Sequence, residues 1–167
     1  AYELYQHMQK DKDIWLICLD LGYKVFDQHF KDFPERCINP GAAEQAGMGI
    51  AVGLALEEKI PVVYSITTFL LYRCFETIRN YINHEQIPAK LVGSGRDKDY
   101  IHDGFSHWSE DAEKLFAKNM HLDFCGYPHG GILNNINALW PDTKEEIPNL
   151  MQDFLYDNKP AFLSLRR

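Results

Sequence analysis

The sequence predicts an α/β domain of three layers, α/β/α, with a mostly parallel sheet between its helices. Three observations lead there: short apolar runs rich in β-branched and aromatic residues, segments of helical length and period between them, and polar or Gly/Pro breaks separating the two. Strand and helix alternating in this way pair the strands in parallel, cover both faces with helices, and leave the ligand crevice at the carboxyl ends of the strands. With 167 residues, 46% of them hydrophobic, the chain can bury a core of its own, and residues 1–167 are read as one domain without repeat or linker.

The first strand is Ile14–Leu19, ending in Asp20-Leu21-Gly22. Tyr23, Phe26, Phe30 and Phe33 then recur three or four residues apart, as in a short amphipathic helix packed on the core. Asn39 can cap a helix that has Pro40 at its first position, with helical period over about Gln45–Glu58. Strands follow at Pro61–Ile66, Ala89–Gly93, His121–Gly126 and Ala161–Leu165. The helical segments between them are about Phe69–Asn83, Ser106–Lys118, Gly131–Leu139 and Lys144–Tyr156.

Charge and composition narrow the function. Seventeen Lys and Arg against 24 Asp and Glu leave a net charge of −7, and Arg166-Arg167 is the longest basic run, so no nucleic-acid footprint is present. The apolar runs, such as Ile60–Ile66, fall short of the roughly 20 residues a membrane span needs, and no signal-peptide pattern opens the chain. No membrane association is expected, and the expected location is the cytoplasm. Cys18, Cys37, Cys74 and Cys125 form no Cys-x-x-Cys pair and read as buried free thiols. His102, His107, His121, His129 and Cys125 lack a typical ligand spacing, so this chain is expected to hold no metal.

Three stretches can carry chemistry. Gly47, Gly49, Ala51, Gly53 and Ala55 line one helix with small residues, at a cost of up to ~1 kcal/mol per glycine relative to alanine. That points to a close approach by another backbone, at a helix–helix or subunit contact. Glu44, in the opening turn, is then the one acid in an apolar neighbourhood. It is either a dipole-stabilised surface carboxylate or a buried group with a raised pKa suited to proton exchange. Phe69, Tyr72 and Phe75 lie three apart after the second strand, a spacing that alone reads as core. In the loop His102-Asp103-Gly104-Phe105-Ser106-His107, over the crevice, Asp103 by itself reads as an N-cap and His107 as a solvated histidine.

Gly41-Ala-Ala-Glu44-Gln45, the Gly/Ala run from Gly47, Lys59-Ile-Pro-Val-Val, Phe69 with Arg73-x-Phe75-Glu76-x-Ile78-Arg79-Asn80, Lys90-Leu-Val-Gly-Ser and Asp103-Gly-x-x-His107 occur in this order. Together they resemble the pyrimidine-binding domain of transketolases, over roughly residues 13 to 166. The resemblance implies the thiamine-diphosphate-binding fold. It also implies that Glu44 hydrogen-bonds N1′ of the cofactor's aminopyrimidine, and that Phe69, Tyr72 and Phe75 hold that ring. By the same resemblance Asp103 and His107 face the substrate, and Arg73 is either a substrate-anion contact or a surface ion pair with Glu76.

The family pattern is incomplete here. The Gly-Asp-Gly run with a downstream Asn, which carries Mg2+ and the cofactor diphosphate in these enzymes, is not in this sequence, and the carboxyl-terminal transketolase domain is expected to be absent. The resemblance therefore implies the pyrimidine-binding subunit of a split, thiamine-diphosphate- and Mg2+-dependent enzyme. A diphosphate-binding partner would hold the metal, most simply in a heterotetramer of two plus two. The expected reaction is transfer of a two-carbon ketol unit between sugars or sugar derivatives. The alternatives are a 2-oxo-acid decarboxylase or deoxyxylulose-phosphate-type synthase subunit, and a non-catalytic scaffold. Where transketolases carry a phosphate-contacting histidine this sequence has Gly95, with Arg96 and Lys98 close by, which is compatible with a differently placed phosphate site, a nucleotide-linked sugar or an unphosphorylated keto substrate. No function is read from Cys125-Gly-Tyr-Pro-His-Gly-Gly131.

Overall fold

A computed structural model describes residues 1–116, 121–122, 128–129 and 131–167, with backbone alone at 121–122 and 128–129. Cys125 and most of the expected strand His121–Gly126 lie outside the described residues. The elements in chain order are α1 Tyr2–Lys10, β1 Ile14–Cys18, α2 Asp27–Asp32, β2 Cys37–Ile38, α3 Glu44–Leu56 and β3 Ile60–Ile66. A bent helical segment, 69–84, follows, with α4 Phe75–Thr77 between two π-helical stretches. The remainder is β4 Lys90–Ser94, α5 Ala112–Phe116, β5 His121–Leu122, β6 Pro128–His129, β7 Asn137–Leu139, α6 Ile147–Tyr156 and β8 Ala161–Leu165.

Six strands form one sheet in the order β2-β1-β3-β4-β8-β7, and every pairing in it is parallel. Ile66, Ser94 and Leu165 lie opposite one another, so β3, β4 and β8 end level and form the floor of a crevice. Along β1 the side chains alternate between two buried clusters: Ile17 packs with α3 and the 69–84 segment, and Leu16 with α1 and α6. A parallel strand covered on both faces has no solvated side, and this is why its sequence reads as an unbroken apolar run. Each such fully buried Leu or Ile contributes about 2 kcal/mol.

Several expectations are corrected. The segment expected to be helical at Gly131–Leu139 makes turns and then β7, because its last residues add to the edge of β8, with Asn137 opposite Ala161. His121–Leu122 pairs antiparallel with Pro128–His129, apart from the main sheet. The helix expected over Ser106–Lys118 is described as α5 preceded by a short 3-10 turn at Phe105–His107. The helix α1 and the strand β2 were not anticipated: α1 is short and buries only Leu4 and Met8, and β2 has two residues. Cys18, Cys37 and Cys74 are buried free thiols, and burial pushes them up to about 12, 11 and 12.

Candidate active site in the crevice

The crevice lies over the carboxyl ends of the strands, where α3 and the 69–84 segment begin. Asn39 does not cap α3; its side-chain oxygen accepts a 2.9 Å hydrogen bond from the Gly41 N–H, closing a turn that Gly41 completes at φ +70°. A left-handed residue cannot continue a helix, so α3 starts only at Glu44. At Gly47 a Cβ would lie 2.3 Å from Cδ2 of Leu19. The glycine therefore lets α3 lie directly on the end of β1 and carries Glu44 inward, to 6% exposure. Gly49 and Gly53 face open space, so packing within this chain explains Gly47 and not those two.

Glu44 is not alone among apolar groups. Its carboxylate is ion-paired with Nη1 of Arg73, so of the two readings of Arg73 the surface pair with Glu76 is not the one formed. The Arg73 guanidinium lies over the Phe69 ring, 3.8 Å from its centroid. The edge of His107 meets Phe69 at 4.9 Å and an interplanar angle of 64°. Glu44, Arg73, Phe69 and His107 thus form one contiguous row, drawn from α3, the bend after β3 and the loop after β4.

The loop bearing His107 is pinned to this row. Thr68, just after β3, donates through its hydroxyl to the Ser106 carbonyl at 3.0 Å. Ser106 Oγ lies 3.0 Å from His107 Nδ1, and the Tyr100 ring lies 6.1 Å from the imidazole. Tyr100 itself is held by Ser94 at 3.0 Å. The ring sits where a Gly95 Cβ would project, 2.1 Å from it, and Gly95 has φ +81°. No side chain can therefore occupy position 95. Asp103 is exposed on the same loop, before Gly104.

The three aromatics do not form a continuous wall in this chain. The Tyr72 hydroxyl donates to Asp111 Oδ1 at 2.6 Å, and burial with that bond pushes the phenol above its ordinary range. Phe75 is half-buried against the core. Of the three, Phe69 is the one whose ring meets the Arg73 guanidinium. Arg96 and Lys98 are also engaged. Arg96 is buried and donates to the carbonyls of Pro141 and Ser164 at 2.7 and 2.8 Å and to Asp142 at 3.1 Å. Lys98 pairs with Glu110 at 3.3 Å.

Among the described residues no group of three or more His, Cys, Asp or Glu could hold a metal. No described helix is long and apolar enough to cross a membrane. What the row offers is a slot: a buried carboxylate at one edge, an aromatic face beneath, and an imidazole beside it. It suits a flat group bearing N–H donors.

Residues 2–167 match the transketolase pyrimidine-binding domain family. The chain belongs to that family. Within it, the chain is 39% identical over 77 residues to a putative transketolase C-terminal section from Methanocaldococcus jannaschii, 46% of this chain and 24% of that protein. It is 35% identical over 81 residues to one subunit of an apulose-4-phosphate transketolase from Actinobacillus succinogenes, 48% of this chain and 26% of that protein. The matches thus span about a quarter of those relatives' own length. Among solved structures, a split-gene transketolase described as an inactive beta4 tetramer superposes with a TM-score of 0.78 at 25% identity, over 99% of this chain and 49% of that one.

Family motifs point to Glu44, Arg73, Phe69 and His107. The supports Thr68, Ser94 and Tyr100 were missed, and the one sequence signal for them is a glycine, Gly95, shortly before an aromatic, Tyr100.

Proposed function

We propose that residues 1–167 are one pyrimidine-binding module of a split, transketolase-like transferase that works with thiamine diphosphate and Mg2+. The observation that carries this is the slot between Glu44 and Phe69, which already accommodates a planar N–H donor in the form of the Arg73 guanidinium. An aminopyrimidine has the same requirements: an edge that hydrogen-bonds to a carboxyl group and a face that stacks.

In this reading the Glu44 carboxyl holds a proton at N1′ of the aminopyrimidine. Phe69 would stack on the ring, the one of the three aromatics that meets the Arg73 guanidinium. When bound, the cofactor supplies the nucleophilic carbon and the electron sink for breaking and forming a C–C bond beside a ketone. His107, with Nδ1 engaged by Ser106, has Nε2 to exchange a proton with a substrate hydroxyl. Asp103, exposed on the same loop, binds a second hydroxyl. Arg73 takes the anionic end of a ketose; the name of the Actinobacillus relative carries a sugar phosphate.

A partner subunit would supply the diphosphate and Mg2+ sites, most simply in a two-plus-two heterotetramer in the cytoplasm. The exposed face of α3 supports such docking. Ile50 and Leu56 are 37% and 67% exposed there, beside the open Gly49 and Gly53. The test is to purify the chain with a diphosphate-binding partner and titrate thiamine diphosphate with Mg2+ into each chain and into the mixture. Tight binding confined to the mixture, with ketose cleavage lost in Glu44→Gln, is the expected result. Full activity of this chain alone would overturn it.

A further inference from the structure

We infer that Arg73 is a built-in stand-in for the pyrimidine ring: in the free chain its guanidinium fills the slot between Glu44 and Phe69, and the cofactor enters by displacing it. The inference rests on the reading of that slot as the pyrimidine site.

The two contacts a flat heterocycle would make, an edge to the carboxylate and a face to the aromatic ring, are both made by one arginine side chain. Burial also favours a partner for the Glu44 carboxylate. Glu44 is buried, and a buried carboxylate without a partner is strongly disfavoured. In the empty chain Arg73 supplies that partner and a lid over the Phe69 face.

The pair is unequal. The Glu44 side chain is 8% exposed and fixed on α3, whereas that of Arg73 is 48% exposed on a flexible stem. Guanidinium groups that serve the fold are held differently. Arg36 donates to the carbonyls of Met8, Asp11 and Ile14, and Arg96 to those of Pro141 and Ser164. Main-chain carbonyls cannot be exchanged for a ligand. Among the described residues, Arg73 is held by the Glu44 carboxylate and the Phe69 face alone, and a ligand can take over both contacts.

Displacement has a consequence for order of binding. The same guanidinium that blocks the ring site becomes an uncommitted cation at the rim once the ring is in place. It can then meet a substrate anion, so the anion site is created by cofactor entry. Occupancy by Arg73 lowers apparent affinity for the ring by the fraction of time the slot is open.

The test uses thiamine as probe, titrated by calorimetry into the chain reconstituted with its diphosphate-binding partner and into the same complex carrying Arg73→Gln or Arg73→Lys, with NMR of guanidinium groups in chain labelled with 15N-arginine. Beside the guanidinium groups of Arg36 and Arg96, which should stay restrained throughout, one more should be restrained in the wild type, mobile in Glu44→Gln, and released by thiamine. Arg73→Gln should bind thiamine roughly fivefold more tightly than wild type, from the loss of an ion pair and a cation–π contact of ordinary strength. Arg73→Lys, which keeps the charge but not the planar stack, should fall between. If the wild type binds thiamine and Arg73→Gln binds equally or more weakly, the stand-in role is refuted and the pyrimidine site remains. If neither binds at saturating thiamine while the guanidinium stays restrained, the pyrimidine reading and the stand-in role fail together.

Discussion

The chain buries charge in two places, the crevice above the sheet and the framework around it, and satisfies it in different ways. In the framework, Arg36 and Arg96 end on backbone carbonyls, and Lys90 donates to the carbonyls of Asp157 and Lys159 at 2.6 Å. These charges are locked, because the carbonyls belong to chain that cannot move without unfolding. In the crevice, buried Glu44 is satisfied by a half-exposed side chain that can leave. A buried charge whose partner is replaceable marks a binding site; one whose partners are main chain marks a staple.

Substitutions can break that distinction or sharpen it. The largest expected effect is at Glu44: Glu44→Gln should lower the rate of the reconstituted enzyme by on the order of 10²- to 10⁴-fold, as loss of a proton-handling group does. Its thermal midpoint should stay near the wild-type value, and a collapse in stability would class Glu44 with the staples. Arg96→Met should do the reverse. Leaving the Pro141 and Ser164 carbonyls unsatisfied should cost about 3 kcal/mol in denaturant unfolding, with binding of thiamine unchanged in the protein that remains folded.

A third expectation concerns pH. Burial pushes His29 down to about 4, with its ring packed edge-on against Tyr5 and Phe26. Above pH 6.5 the imidazole is neutral in both folded and unfolded chain, so it has no effect there. Between about 6.5 and 4 the unfolded chain takes up the proton first, so stability falls as pH falls across that window, by about 2–3 kcal/mol at most. Unfolding curves of His29→Phe should be flatter over that range; an unchanged slope would remove His29 as the cause. The smallest effect is expected at Tyr72→Phe. Losing the 2.6 Å bond to Asp111 should cost about 1 kcal/mol, and a large loss of cofactor binding instead would show that Tyr72 turns into the slot when the ring is present.

Much of this protein is legible in its sequence. The apolar runs at Ile14–Leu19, Pro61–Ile66, Ala89–Gly93 and Ala161–Leu165 became the four central strands because burial on both faces demands apolar residues throughout. Glu44, Arg73, Phe69 and His107 stand out by their motifs, and the structure brings them into contact. The strand β7 reads as helix in the sequence because a short apolar run has no decisive period; the unpaired edge of β8 decided it. The helix α3 starts at Glu44 and not at Pro40, because Asn39 and Gly41 close a turn first.

What the sequence determined by itself is the layered α/β plan and the identity of the chemically capable residues, since hydrophobic periodicity and residue type are local properties. What only the tertiary structure decided is who faces whom. Arg73 turns to Glu44 and not to its near neighbour Glu76, Tyr72 turns away to Asp111, and Arg96 is spent on the framework. The reason is that pairing of charges depends on distance and burial in three dimensions, and the π-helical bend after β3 sets those directions in a way that residue spacing does not encode.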